Sequence, residues 1–152
     1  MTRMFTAMDR HGQGVALLGL RLLLAWEFWE AGWGKLQGEN WFADIQAAFP
    51  FPFNLLPAQW SWALATSTEL VAALLLALGL ATRLGSLSLI VLTVVAWASV
   101  HAGNGYNVCD NGWKLLLIYL AMLMPLLFGG AGRLSLDHWI ESHLLSCKSC
   151  RA

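Results

Sequence analysis

Apolar residues do not alternate along this chain; they run in four long blocks separated by polar or turn-forming stretches. The blocks lie near residues 15–33, 60–80, 84–100 and 113–128. At about 1.5 Å per helical residue these lengths approach or match a hydrocarbon core about 30 Å thick, so each block is predicted to span a membrane. Inside lipid no water satisfies backbone N–H and C=O groups, which requires the spans to be helical. Between the second and third stands only "ATR", residues 81–83, so those two form a tight antiparallel hairpin. The expected fold is an all-α membrane protein, a four-transmembrane-helix bundle occupying residues 1–152 as a single domain.

The connections carry weaker patterns. In the first long loop "ENWFADIQAAF" reads as a short interfacial helix capped at Asn40 and stopped by Pro50 and Pro52. After the fourth block "GGAG" breaks the chain, and "SLDHWIESHLL" opens an amphipathic tail over residues 134–152. There Ser135 is the cap, and Leu136, Trp139, Ile140 and Leu144 face lipid. Arg3 and Arg10 precede the first block as in a signal peptide, but no small-residue cleavage site follows, so the block is an uncleaved span.

Composition agrees: 58% of the 152 residues are hydrophobic and 12% charged, too apolar for an ordinary soluble domain. Formal net charge is zero and the basic residues are scattered, which excludes a nucleic-acid partner. Their distribution sets orientation. Arg3, Arg10, Arg83, Arg133, Lys148 and Arg151 flank one side, and only Lys35 and Lys114 the other. The protein is thus expected to be multi-pass in a bacterial inner membrane with both termini cytoplasmic. Trp26, Trp29 and Trp33 on one face of the first span, with Trp60, Trp62 and Trp113, read as an outer aromatic belt.

Within this greasy pattern the acid Glu69 is conspicuous, because intramembrane ionisable groups usually belong to a site. Counted from the cytoplasmic ends, Arg21 lies about 10 Å up, Glu69 about 16 Å and Glu27 about 20 Å, one layer for long side chains. Arg21 is the expected partner of Glu69, since its guanidinium grips a carboxylate with two hydrogen bonds. The pair either clamps two helices together or lines a polar pocket in which Glu69 handles protons or a polar ligand. Glu30 lies nearer the outer interface.

At the outer end of the third span, His101 opens "HAGNGYNVCDNGWK", which also holds Tyr106, Cys109 and Asp110. A His and a Cys are two ligands and not a metal site, so no metal is predicted. Cys109 faces the oxidising side as a free thiol or one paired with another molecule. In the tail, Cys147 and Cys150 of "CKSC" have redox or metal spacing, with Lys148 favouring thiolates and no second such pair to complete a zinc site. No span contains a histidine, so paired axial ligands for a membrane haem are missing. Electron chemistry would fall to a quinone, a small thiol or a partner subunit.

"RLLLAWEFWEAGWGKL", with Arg21, Gly32 and Lys35, resembles the first-span signature of the DoxX family. "TELVAALLLALGLATRLGSL", with Glu69, Gly79 and Arg83, resembles its second, and His101 matches a histidine at the end of its third span. The resemblance covers about residues 15–128. It implies a small four-helix inner-membrane protein associated with quinol and sulfur oxidation, thiol handling or oxidative stress. The ending "NGWKLLLIYLAMLMPLLFGGAGRLSLDHWI" resembles the subgroup that accompanies genes for metal-binding modified peptides. Glu27 and Glu30 depart from the family pattern. The leading expectation is a redox- or metal-stress-associated subunit or accessory protein, with catalytic Glu69 and Arg21, a ligand mouth of Lys35, His101 and Glu27, and redox thiols Cys109, Cys147 and Cys150. The alternatives are a proton-coupled exporter working as a dimer and a membrane scaffold recruiting redox or peptide-maturation partners.

Overall fold

The structure, a computed structural model, describes residues 2–132, 134–140 and 142, with side chains from Gly12 onward. Four long helices make the body: α1 (Thr2–Gln37), α2 (Ala58–Leu78), α3 (Thr82–Ala96) and α4 (Lys114–Gly129). A wider π turn over Trp97–His101 extends α3. No strand occurs among the described residues. The helices pack cyclically, α1 on α2, α2 on α3, α3 on α4 and α4 back on α1, with the α1–α2 seam the most extensive and the α1–α4 seam the sparsest.

Local sequence sets the ends. Pro57 precedes the first turn of α2, and Gly79 ends it in the left-handed region at φ 67°. The Gly79 N–H then donates to Leu76 O at 3.1 Å and the Leu80 N–H to Leu75 O at 2.9 Å, the double bond of a Schellman stop. Thr82 already starts α3, so the hairpin turn is tighter than its sequence link suggests. The N-terminus of α3 has no cap of its own. Asp137, from beyond α4, supplies it by accepting from Ala81 N at 3.0 Å and Thr82 N at 3.4 Å.

The core is small: Leu24, Ala25 and Phe28 of α1, Ala72, Ala73 and Leu76 of α2, Leu89 of α3, Leu123 and Leu126 of α4. Most other apolar side chains point outward. Ala58–Leu78 and Thr82–His101 are long and apolar enough to cross a membrane, with mean hydropathy 1.6 and 1.8, yet only 33% and 22% of those stretches are buried inside the protein. An outward-facing apolar surface of that extent suits a membrane. Lys114–Gly129 is a shorter apolar helix, and α1 carries Arg21, Glu27, Glu30 and Lys35.

The interfacial helices are shorter than the sequence suggests. Asn40 Oδ1 accepts from Phe42 N at 3.0 Å, but the N-cap position falls to Trp41, and the helix lasts one turn (Phe42–Ile45) before breaking into 3-10 turns at Gln46–Ala48 and Phe53–Leu55. Phe42 turns inward instead of lying on a membrane surface, packing on Trp41, Phe49 and Trp62 at ring distances of 4.9, 5.2 and 5.0 Å. After α4, Ser135 Oγ accepts from His138 N at 3.2 Å and residues 136–140 are helical, with Leu136, Trp139 and Ile140 exposed. Leu144 and the rest of that tail, like Arg133, lie outside the described residues.

Candidate functional site

Gly32 sets the geometry. A methyl group there would stand 3.0 Å from Glu69 Cβ and 3.0 Å from Leu70 Cγ, so the bare backbone lets α1 close on α2 at this level. One turn further along α1, Lys35 Nζ reaches both Glu69 oxygens, at 2.7 Å and 2.8 Å. The carboxylate side chain is 4% exposed and the lysine 20%. The charges cancel, and the lysine spends two of its three N–H donors.

This pair stands at one end of a cavity of about 500 Å³ between α2, α3 and the first loop. Trp41, Phe42, Phe49 and Phe53 roof it, and Ser61 and Thr68 of α2 with Ser88 and Ser99 of α3 place hydroxyls along its walls. Ser61 Oγ is buried without a hydrogen-bond partner. Wall residues Leu64, Leu87 and Val91 are exposed, so the cavity opens sideways between α2 and α3. A second hollow of about 280 Å³ shares Thr68 and Ser88 with the first and continues along the same seam past Ala72, Leu75, Leu84 and Gly85. His101 lines the far end of the main cavity, about 20 Å along α3 from Ser88. Its Nδ1 lies 2.7 Å from Asn111 O, where it donates and fixes the ring.

Arg21 is elsewhere, which corrects the expected pairing. Its Nη1 donates to Ala131 O at 2.6 Å and its Nη2 to Leu134 O at 3.0 Å, and it is 1% exposed beside Gly79, where an added Cβ would stand 2.5 Å from Nη1. Arg21 is therefore level with the end of α2, whereas Gly32 is level with Glu69. Those two intervals are about eleven residues in α1 and ten in α2, roughly 16 Å in each. Reckoning heights from Val15 displaces α1 by about 10 Å along α2, and that displacement is what places Arg21 in the Glu69 layer. The same shift moves Trp26, Trp29 and Trp33 from the expected belt to about 8, 12 and 18 Å from the Arg21 level, against a length of about 31 Å for α2. Trp97 and Trp113 stack at 5.2 Å where the π turn that extends α3 meets the start of α4.

Glu27 is also outside the cavity. Its Oε2 accepts from Tyr119 OH at 2.6 Å across the α1–α4 seam, and Glu30 is exposed one turn on. Tyr119 was missed, although it is the one hydroxyl in an otherwise apolar fourth block. The wall hydroxyls were missed too; their signal was spacing, with Ser61 and Thr68 seven residues apart on α2 and Ser88 and Ser99 eleven apart on α3. Cys109 is an exposed free thiol in the loop between the π turn and α4. Cys147 and Cys150 lie outside the described residues. Among the described residues no three His, Cys, Asp or Glu side chains gather as a metal site would need.

The family model DoxX matches residues 16–102, a stretch containing Lys35, Glu69 and His101 but neither α4 nor Tyr119. A Haemophilus influenzae protein described as uncharacterized is 56% identical over 130 residues, 86% of each chain. No solved structure matches.

Proposed function

The chain belongs to the DoxX family of membrane proteins, and on that premise we propose that it is a four-span inner-membrane protein with cytoplasmic termini that handles a lipid-soluble quinone for thiol or sulfur redox metabolism. One observation carries the reading: a neutralised Lys35–Glu69 pair closes one end of a mostly apolar cavity, edged with hydroxyls, that opens toward lipid. A net-neutral pair attracts no free ion strongly, but it offers a donor and an acceptor side by side. The third Lys35 N–H suits a quinone carbonyl oxygen, and a Glu69 oxygen suits a quinol hydroxyl. The apolar walls suit the ring and the lower hollow its tail. Two thiols would supply two electrons and two protons, giving a disulfide and the quinol, with Glu69 passing a proton to the ring oxygen. His101 sits where a water-soluble donor would enter, and Arg21 acts as a structural anchor.

The proton-coupled exporter ranks second, because an exporter's site must reach both faces, and the core residues Leu24, Ala73 and Leu76 fill the bundle between Glu69 and the Arg21 layer. A scaffold role would rest on exposed Cys109. The deciding experiment is anaerobic quinone reduction by the protein in lipid discs, with thiol and thiosulfate donors, comparing wild type with Glu69→Gln. Turnover that disappears in a folded Glu69→Gln protein is expected. Equal turnover in both would overturn the assignment, and Glu69-dependent proton flux in liposomes without turnover would favour export.

A further inference from the structure

The outward face of α1 is unlike a lipid-facing surface. Leu22, Trp26, Trp29, Trp33 and Leu36 are exposed by 49, 66, 36, 45 and 58% and recur at intervals of four, three, four and three residues, the a/d spacing of a helix seam. Glu30 is exposed on the same face between Trp26 and Trp33. Height decides what this means. Arg21 is level with the end of α2, and Glu30 lies about nine residues above it, roughly 13 Å, in a bundle whose α2 is about 31 Å long. A carboxylate facing lipid near mid-membrane is rare, since ionisable groups at that depth face protein or water. Tryptophan likewise favours the interface, where Trp60, Trp97 and Trp113 of this chain stand.

We propose that this face of α1 is the contact between two copies of the chain. The argument is its self-complementarity. It holds one acceptor carboxylate with an indole N–H donor about one turn to either side, and no cation, so it matches itself better than a basic partner helix. Two copies inserted in the same orientation are related by a two-fold axis along the membrane normal, which brings equal heights together. Glu30 of each copy then lies within a turn of Trp26 and Trp33 of the other, and the apolar stripe packs on its equivalent.

The test is subunit counting by single-molecule photobleaching of the full chain in liposomes over a range of protein-to-lipid ratios. Wild type and Glu30→Gln, which keeps an acceptor, should dimerise. Glu30→Leu, which suits lipid better, should weaken dimerisation about 8- to 300-fold, the range of two symmetry-related interhelical hydrogen bonds in lipid. Trp26→Ala with Trp33→Ala should weaken it further, whereas Trp60→Ala should not. In a background with its cysteines changed to serine, Trp33→Cys should cross-link to its own copy. A monomeric wild type at every ratio, or dimers indifferent to both Glu30→Leu and the tryptophan pair, would overturn the proposal.

Discussion

Replacing Lys35 by methionine keeps most of the length of the side chain and removes its charge, leaving Glu69 buried without its counter-ion. Breaking a buried pair from one side costs about 3–5 kcal/mol, because the survivor keeps its desolvation penalty. Two features of this site pull the figure to the lower end. Lys35 is 20% exposed, so part of the attraction is already screened. The penalty is also capped near 3.7 kcal/mol at pH 7, the free energy of protonating an ordinary glutamate there, since beyond that the acid takes a proton. About 3 kcal/mol is therefore expected for Lys35→Met. Glu69→Leu alone should cost a similar amount, because it strands the lysine. The pair changed together should lie within about 1 kcal/mol of wild type, since an apolar pair of similar volume avoids both desolvation costs. Unfolding by SDS titration in mixed micelles, followed by tryptophan fluorescence, measures all four corners of the cycle. Additive single effects, with a coupling under about 0.5 kcal/mol, would refute the idea that the two groups stabilise each other through their contact.

Other positions test other parts of the argument. Gly79→Ala puts a Cβ 2.5 Å from Arg21 Nη1 and 2.7 Å from Ser135 Cβ at a residue with φ 67°, so it should cost at least about 2 kcal/mol and lower Tm in the same micelles. Gly85→Leu is the contrasting case. The first carbon there meets Leu75 Cβ at an ordinary 3.6 Å, so the protein should fold while the lower hollow fills. KM for a long-tailed quinone should rise several-fold, with that for a tailless analogue unchanged.

The helices themselves were legible because lipid admits few alternatives. An apolar block of spanning length must be helical, and Pro57, Gly79 and the Gly129–Gly130 pair punctuate the blocks. Glu69, Lys35 and His101 could be picked out by their chemistry, and the structure brings all three to one cavity. Which cation meets Glu69 was not legible. That depends on how far α1 slides along α2, and the slide is fixed by close approach at Gly32 and by carbonyls beyond α4 that bind Arg21. Neither contact leaves a periodic trace in the first span. The aromatic roof was hidden for a related reason: Phe42 reads as membrane-facing in a local pattern and becomes buried only once Trp62 and Phe49 fold around it.

Arg21 and Ala131 are 110 residues apart in the chain. At a synthesis rate of about 5–20 residues per second, the first helix is made roughly 5–20 s before the carbonyls that satisfy its arginine exist. During that interval a guanidinium near the end of a nascent span favours the headgroup region, which holds that end of the helix at the membrane boundary. Assembly is thus closed by its last-made segment: as residues 131–137 dock, one short stretch ties Arg21 of α1 to the α2–α3 turn through Asp137. Until then the early helices can insert, but they have not yet been locked to a common depth.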